Sequence, residues 1–478
     1  MGYGGGMKKN NSKCRIERDS MGERMVPEEA WYGAQTSRSM ENFPFGGEDR
    51  LPMEVVRGMA LVKAAAADAN LAKGRLAKDK AEAIAWACGE VMSGRMDGEF
   101  TLPVYQAGSG TSSHMNLNEV VANLANVRLG GKKGSKSPVH PNDDVNMGQS
   151  TNNTFPSGAK VAAVLALPGV REALDGLAEA LKRKGKEFAK VVKSGRTHLQ
   201  DAVPVTLGQE FAAWGVAVAK ASARLGRGGE ALMELGAGGN AVGTGVNTGK
   251  GFRKDLIAAL NRRTGLRFRV AEDGLQATQF LTDFAALSGA VRCAALDIQQ
   301  IANNLRLLAS GPNTGIGEIS LPAVEPGSSI MPGKVNPSVC EAVNMAMMQI
   351  QGLDHAVALA CGAGQLELNT HMPLVAADVL RELELLERAA GLLAEKCVAG
   401  IEARAERCRA NLERSAGLAT ILNPRLGYDR VAGLVKEGLS RGMTLKELAL
   451  EKKLLTEEEY EELVGSATGP NLEEKRKK

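Results

Sequence analysis

A polar loop rich in glycine and proline, residues 316–341, holds the densest group of side chains that could do chemistry. Three glycines and four prolines interrupt it, and both residue types disfavour regular helix and strand. Between them lie two hydroxyls, one cation and one amide, on Ser328, Ser329, Lys334 and Asn336. Glycine-flanked backbone can direct several free N–H groups at one anion. The loop therefore predicts a site for an acidic substrate or for a deprotonated serine. The alternative is a surface loop between two helices.

Two other polar segments accompany this loop. Ser109 and Thr111 lie where a helix is predicted to start, and free N–H groups with the positive end of the helix dipole suit a carboxylate there. Ordinary capping by serine or threonine is the alternative. His198 lies among arginine, threonine, glutamine and aspartate, which are unusual neighbours for a core histidine. A lone histidine is nevertheless more often a bystander than a catalyst.

Composition and spacing exclude several classes of function. The 59 basic and 55 acidic residues give a net charge of +4, too balanced to indicate nucleic acid or a membrane surface as partner. The seven cysteines are scattered, and no CxxC or Cys/His cluster indicates a metal site or a disulfide framework. A nucleotide-binding P-loop is excluded because five residues, not four, separate Gly327 from Gly333, and Val335 follows Lys334. No secretory segment or long apolar run appears, so we expect a cytoplasmic protein.

Long helices are predicted to position these loops. Apolar residues recur every three or four positions from Ala277 to Leu308, which predicts one helix about 48 Å long. A second stripe begins at Leu207, and a third begins after Pro168. Helices of this length with many small residues pack as a bundle, and surplus apolar faces favour bundle-to-bundle oligomers.

The 478 residues suffice for two or three domains. After Val398 the pattern changes to short helices, two of them with capping boxes, Thr444 with Glu447 and Thr456 with Glu459. We therefore predict three domains. They are an N-terminal domain over 1–148 (with 1–13 as a flexible tail), a central long-helix bundle over 149–404, and a small C-terminal helical domain over 405–478.

The glycine- and proline-rich loop resembles a family signature. The run Glu325-Pro-Gly-Ser-Ser-Ile-Met-Pro-Gly-Lys-Val-Asn-Pro337 is similar to that of the fumarase/aspartase superfamily, in the form of the class II fumarases. Aspartases usually carry alanine in place of Gly333 and glutamine in place of His198. Similarity extends over most of the chain. The resemblance implies a mainly α, fumarase/aspartase-like fold, in which smaller N- and C-terminal domains flank a long central helical bundle.

The resemblance also implies a reaction, the reversible hydration of fumarate to (S)-malate in the tricarboxylic acid cycle by a carbon–oxygen lyase. Its difficult step takes a proton from a carbon beside a carboxylate, which then carries a second negative charge as an aci-carboxylate. Fixed donors and cations stabilise that charge, and an acid and a base on opposite faces complete the elimination. No metal and no other cofactor is required. The implied assembly is a homotetramer whose active sites combine residues of three subunits.

Individual roles follow from the same resemblance. Ser328 abstracts the carbon proton, and the loop and Lys334 stabilise its alkoxide. His198 handles the departing hydroxyl through a bound water and Glu341, whose alternative role is capping of the next helix. The residues implied to bind the substrate are Ser109, Thr111, Asn116, Ser150, Thr151, Asn152, Thr197, Ser329 and Asn336. The turn implied to form a secondary anion site contains His140, Asn142 and Asp143.

Two positions depart from the family pattern and keep alternatives open. His114 stands where the family usually has asparagine, and Asn153 stands where an aspartate usually follows Asn152. These departures motivate a catalytically silent scaffold that only binds dicarboxylates. A sister enzyme such as aspartate ammonia-lyase is the other alternative, and His198 argues against it. Assays with malate, fumarate and aspartate distinguish the hydratase, the ammonia-lyase and the silent scaffold.

Overall fold

The computed structural model describes residues 13–45, 47–327 and 329–468, so Ser328 and nearly all of the predicted tail lie outside the described residues. Helices dominate the described chain. They are α1 Ala34–Asn42, α2 Met53–Ala72, α3 Lys78–Met92, α4 Thr111–Arg128, α5 Thr151–Glu187, α6 Leu207–Ala231, α7 Phe252–Thr264, α8 Gly274–Gln279, α9 Thr282–Leu308, α10 Ser338–Gly362, α11 Met372–Lys396, α12 Ala405–Arg414, α13 Ala419–Leu426, α14 Tyr428–Arg441, α15 Leu445–Glu451 and α16 Glu457–Ala467.

The strands form small two-stranded sheets. They are β1 Cys14–Asp19 with β2 Gly22–Pro27, β3 Val192–Thr197 with β4 Gln200–Thr206, β5 Glu234–Leu235 with β6 Arg269–Val270, and β7 Ile319–Ser320 with β8 Glu402–Ala403. The β5–β6 pair is parallel and the other three are antiparallel. The predicted mainly α fold with long helices is therefore confirmed.

The chain forms two compact units. The first comprises residues up to Val170, Arg224–Arg292 and Gln349–Glu384; the second comprises Arg171–Ala223, Cys293–Met348 and residues from Leu385 onward. Each of α5, α6, α9, α10 and α11 contributes residues to both units. The three-domain division stays a prediction.

In the first unit, α2 and α5 cross at a pair of glycines. A Cβ atom on Gly58 would lie 2.1 Å from the carbonyl oxygen of Gly158, and a Cβ on Gly158 would lie 2.6 Å from Cγ of Met59. Any larger residue at either position would force the helix backbones apart, because such contacts are far inside van der Waals distance. The crossing lies two turns after the start of α5. It therefore fixes the position of that start, where the predicted site residue Thr151 lies.

In the second unit, the short helices after Val398 enclose a core of their own. Its buried members are Leu412, Leu418, Leu422, Val431, Leu434, Leu445, Leu448, Ala449, Leu455, Tyr460 and Val464. Both predicted capping boxes are confirmed: the Thr444 hydroxyl accepts from the Glu447 N–H at 3.2 Å and the Thr456 hydroxyl accepts from the Glu459 N–H at 3.2 Å. The caps fix where these short helices begin, and their apolar faces then meet in one cluster.

The structure corrects two helix predictions. The single helix from Ala277 to Leu308 is wrong, since the backbone is extended at Phe280 and divides it into α8 and α9. Phe280 is exposed, and Asp283 in the first turn of α9 binds Lys160 at 2.6 Å, so a favourable helix start outweighs the apolar spacing. The third helix does not begin after Pro168: α5 starts at Thr151 and passes through Pro156 and Pro168. Burial of its apolar residues on both sides of Pro168 offsets the proline's lost hydrogen bond.

A buried carboxyl group links α9, α10 and α11 in the first unit. The Ser288 hydroxyl lies 2.9 Å from Oε1 of Glu382 and 2.9 Å from Oδ1 of Asp354, whose other oxygen binds Arg292 at 2.7 Å. One hydroxyl hydrogen cannot serve two carboxylates, so Ser288 donates to Asp354 and a protonated Glu382 donates to Ser288. Burial, reinforced by the charge of Asp354, raises the pKa of Glu382 to about 9.

This carboxyl predicts a pH dependence of stability. In the unfolded chain Glu382 has a pKa of about 4.3. Between about pH 4.3 and about pH 9 only the unfolded state releases the proton. The contribution of Glu382 to the free energy of unfolding is therefore complete below the unfolded-state pKa and is lost as pH rises toward the folded-state pKa. Glu382→Gln does not titrate, so we expect it to gain ~1.4 kcal/mol per pH unit relative to the unsubstituted protein across this window. Urea unfolding at several pH values measures the difference in free energy of unfolding between the variant and the unsubstituted protein. Glu387→Gln, an exposed position on the same helix, is the control, and a pH-independent gap for Glu382→Gln contradicts the assignment.

Candidate active site

The start of α4 carries the first group of predicted site residues. Gly110 is the N-cap with φ 83°, a left-handed conformation that favours glycine, and a Cβ there would lie 2.2 Å from the Phe155 ring. Glycine therefore lets the start of α4 lie directly against the first turn of α5. The Ser109 and Thr111 hydroxyls are 2.9 Å apart at this helix start, as the polar segment predicted.

A buried polar chain joins the start of α5 to α4 and α2. Nδ1 of His114 lies 2.7 Å from the Thr151 hydroxyl, and Nε2 of the same ring lies 2.7 Å from Nζ of Lys63. His114 is 1% exposed and Lys63 is fully buried. Burial, reinforced by the charge of Lys63, lowers the pKa of His114 well below its usual range, so the ring is neutral. Burial also lowers the pKa of Lys63, to about 7.

The asparagines near these helix starts are held by hydrogen bonds to backbone carbonyls or to a hydroxyl group. Asn152 donates to the Ala241 carbonyl at 2.8 Å, which ties the first turn of α5 to the loop before α7. Asn116 is buried and donates to the Glu99 carbonyl at 3.2 Å. Asn153 donates to the Thr278 hydroxyl at 2.7 Å, and its amide oxygen has no partner among the residues that the structure describes. Asparagine at 153 thus fits a neutral hydroxyl partner without adding a buried charge.

The predicted secondary anion site is an ordered turn. Nδ1 of His140 accepts from the N–H groups of Asn142 and Asp143, each at 3.2 Å, and the His140 N–H donates to Asp144 at 2.7 Å. Asn142 lines a cleft of about 560 Å³ together with the cations of Arg18 and Lys136 and the carboxylates of Glu17, Asp19 and Glu119. With both charge signs present, the role of this turn in anion binding stays a prediction.

In the second unit, His198 lies at the tip of the β3–β4 hairpin. Thr197 pairs with Gln200, so His198 and Leu199 form a two-residue loop, and their φ angles of 56° and 58° are both left-handed. Such loops favour Asn-Gly, and each side-chain-bearing residue in this conformation costs roughly 1 kcal/mol. Strain retained at the tip, at the histidine that the resemblance implicates, is typical of functional positions.

Glu318 anchors that hairpin. Its fully buried carboxylate accepts from Arg196 at 2.7 and 3.0 Å, from Asn411 at 3.0 Å, and lies 3.2 Å from Nζ of Lys193. Burial alone would raise the pKa of Glu318, but the hydrogen bonds and the two cations outweigh it and hold the pKa below its usual range. The carboxylate is therefore charged and fixes β3, which leads directly into Thr197 and His198.

The signature loop folds back on itself between Gly327 and Asn336. Nζ of Lys334 donates to Oδ1 of Asn336 at 2.7 Å, and the Asn336 amide donates to the Gly327 carbonyl. A Cβ on Gly327 would lie 1.8 Å from the Lys334 carbonyl oxygen, so only glycine permits this closure. Ser329 is exposed, and the loop encloses a cleft of about 470 Å³ lined by residues 323–327 and 331–335.

Glu341 follows the loop in the first turn of α10. It is exposed, and its carboxylate lies 3.8 Å from the Arg306 guanidinium. That distance leaves the carboxylate available to a water molecule, so both roles considered for Glu341 remain predictions.

Two residues that hold these groups in place were not predicted from the sequence. Lys63 was overlooked because a lysine is normally read as a surface residue, although a lone cation amid the alanines of a buried helix was a detectable signal. Glu318 lies inside the polar loop already singled out, and its carboxylate could have been paired with Arg196. The structure brings together the starts of α4 and α5 in the first unit. In the second unit it fixes the hairpin of His198 through Glu318.

Comparison with known proteins assigns the chain to a family. The model of a family described as lyase matches residues 22–352, and one described as the fumarase C C-terminus matches residues 418–467. The chain is 46% identical over 451 residues to a class II fumarate hydratase of Thermosynechococcus vestitus, covering 94% of this chain and 96% of that protein. It is 45% identical over 461 residues to the mitochondrial fumarate hydratase of Rattus norvegicus, covering 95% and 90%. The crystal structure of a recombinant class II fumarase from Schistosoma mansoni superimposes with a TM-score of 0.91 at 38% identity, covering 95% of this chain and 98% of that one.

Proposed function

The chain belongs to the class II fumarase family of lyases, and from that premise we propose that it catalyses the reversible hydration of fumarate to (S)-malate. The observation that carries the proposal is identity of about 45% to class II fumarate hydratases over nearly the whole of both chains. His198 at the strained hairpin tip supports a hydratase rather than an ammonia-lyase. The reaction is an anti addition or elimination through an aci-carboxylate, a step of the tricarboxylic acid cycle.

Ser328 is the proposed base. A serine hydroxyl removes a carbon proton only if its alkoxide is stabilised by nearby donors or cations. The bonds between Lys334, Asn336 and the Gly327 carbonyl support this role, because they hold the Lys334 ammonium and the Gly327 carbonyl in one closed loop. His198 and Glu341 are proposed to protonate the departing hydroxyl through a water molecule, and the exposure of both side chains leaves room for one.

The starts of α4 and α5 are proposed to bind the substrate carboxylates. Hydroxyls of Ser109, Thr111 and Thr151 lie at two helix N-termini, where free N–H groups and the helix dipole favour an anion. Ser150 and Asn152 flank Thr151, and Asn116 and Thr197 complete the proposed set with Ser329 and Asn336. The turn at His140, Asn142 and Asp143 is proposed as a secondary anion site.

A homotetramer with active sites drawn from three subunits is also proposed, without cofactor or metal and in the cytoplasm. Exposed apolar side chains on the long helices support oligomerisation: Met345, Met348 and Leu359 lie 3 and 11 residues apart on one face of α10 and are 57–66% exposed. No helix in the described part of the chain is both long and apolar enough to cross a membrane.

The test follows the ultraviolet absorbance of the fumarate double bond with purified protein and malate, fumarate or aspartate. We expect absorbance to rise with malate, to fall with fumarate and to stay constant with aspartate. Fumarate formed from aspartate would move the assignment to an ammonia-lyase. The sample must unfold cooperatively and be oligomeric by light scattering. If such a sample turns over none of the three substrates, the assignment to a lyase activity is contradicted, and a scaffold that only binds dicarboxylates remains.

A further inference from the structure

Three acceptors surround the buried Lys63 amine. Besides Nε2 of His114 at 2.7 Å, Oδ1 of Asn146 and Oε1 of Gln149 each lie 3.3 Å from Nζ. The two amides are oriented by their own nitrogens, since Asn146 donates to the Gln149 carbonyl at 3.2 Å and Gln149 donates to the Val145 carbonyl at 3.0 Å. An ammonium group has three hydrogens and no acceptor, so the three acceptors of this pocket match the charged form of Lys63, which prevails below its pKa of about 7.

That pocket fixes the tautomer of His114. The ring is neutral, so one nitrogen carries a hydrogen and the other accepts. In its charged form Lys63 has no lone pair and donates to Nε2, so the hydrogen of the ring lies on Nδ1, and Nδ1 donates to the Thr151 hydroxyl oxygen at 2.7 Å. Thr151 then cannot donate to the ring. Its own hydrogen must point to a partner other than His114, on the half-exposed side of the helix start.

We propose that His114 is a positioning residue that, held by Lys63, compels the Thr151 hydroxyl to present its hydrogen to a carboxylate of the bound substrate. This inference rests on the proposed function, in which Thr151 is one of the carboxylate-binding residues. A hydroxyl left free to rotate could donate to the histidine instead and turn its lone pairs toward the substrate anion. The chain from Lys63 to Thr151 removes that unproductive orientation before the substrate arrives.

Asparagine, the usual residue of the family at 114, can perform the same task. Its amide oxygen accepts and its amide nitrogen donates, and the two atoms are spaced much like the nitrogens of an imidazole. Leucine resembles histidine in volume but has no polar atom. Packing alone therefore predicts that leucine is the milder replacement, whereas positioning predicts that asparagine is.

The experiment measures KM and kcat for malate in His114→Asn and His114→Leu. We expect the asparagine variant to keep KM within about threefold of the unsubstituted protein. We expect the leucine variant to raise KM about 10-fold or more, because one hydrogen bond to a charged group is lost, and to lower kcat by a smaller factor. Because His114→Leu leaves the Lys63 cation without one acceptor and could unfold, Lys63→Met with His114→Leu is measured as well, and it should show the same raised KM.

A double-mutant cycle with Thr151→Val decides whether His114 acts through Thr151. With that hydroxyl absent, His114→Leu should change KM by less than about twofold. An equal effect of His114→Leu with and without Thr151, or a KM for leucine below that for asparagine, would overturn the proposal. If the unsubstituted protein turns over no substrate, the proposed function fails on its own, and the same ranking is then tested on fumarate affinity by calorimetry.

Discussion

Ser328→Ala is expected to lower kcat for malate by about 10²-fold to 10⁴-fold, with KM changed by less than about threefold. General base catalysis contributes an effect of this size, and alanine removes the base while leaving the carboxylate-binding groups intact. Lys334 and Asn336 hold the loop through backbone and amide contacts that do not use the Ser328 side chain, so the loop should keep its shape. Initial rates from fumarate absorbance, measured at equal concentrations of oligomeric protein, give kcat and KM.

Ser329→Ala is the matched control, since it removes a hydroxyl from the adjacent exposed position of the same loop. A residue that only binds substrate should raise KM when it is removed and leave most of kcat. If Ser329→Ala lowers kcat as far as Ser328→Ala does, or if Ser328→Ala affects only KM, the assignment of the base to Ser328 is wrong. Equal circular dichroism and unfolding curves for the two variants would show that the comparison concerns chemistry.

Much of the fold could be predicted from the sequence because apolar spacing and helix caps are local signals. The stripe that starts at Leu207 does open a long helix, and both capping boxes form as the residue types indicate. The same spacing failed at Phe280, where the helix start at Thr282 and the contact of Asp283 with Lys160 decide the backbone. Apolar periodicity shows neither where a helix starts nor the contact of Asp283, which depends on a partner that is distant in sequence.

The candidate site shows a similar division. Residue types located the polar loops, and the resemblance supplied roles. A lone lysine amid alanines was a signal of burial, but neither source could identify His114 as its partner. Periodicity treats lysine as a surface residue, and only the folded chain shows that amide oxygens from the turn before α5 meet its charge. Likewise the left-handed φ angles of His198 and Leu199 contradict local preference and depend on the strand pairing and on Glu318.

Glu318→Gln is expected to destabilise the protein by about 3–5 kcal/mol, because it leaves the buried cations of Lys193 and Arg196 without their shared carboxylate. Glu210→Gln is the matched control. Glu210 is the other carboxylate near Lys193, at 2.8 Å, but its side chain is 26% exposed, so water can replace part of its interaction and we expect a loss of about 1 kcal/mol. Urea unfolding measures both, and equal losses for the two variants would contradict the central role of Glu318.

The pH dependence of that loss has a definite sign. The folded-state pKa of Glu318 is lowered, so its contribution is present above the unfolded pKa of about 4.3 and disappears as pH falls through the folded value. The gap between the unsubstituted protein and Glu318→Gln should therefore be widest near neutral pH and should narrow below about pH 4. A gap that widens in acid would mean that the carboxylate is not the stabilised form.

Activity separates positioning of the hairpin from stability of the fold. Arg196 is bound to Glu318 and is followed directly by Thr197 and His198, so a loosened Arg196 lets the strained tip relax away from its left-handed conformation. At a temperature where Glu318→Gln is still fully folded, we therefore expect kcat to fall by about 10-fold or more, since small displacements of catalytic groups are costly. Adding Lys193→Met removes one of the two buried cations that lost Glu318 and should recover part of the stability but not kcat, because the link from Glu318 to Arg196 stays broken. Recovery of kcat together with stability would mean that Glu318 acts on the fold alone, and that the hairpin keeps His198 in place without it.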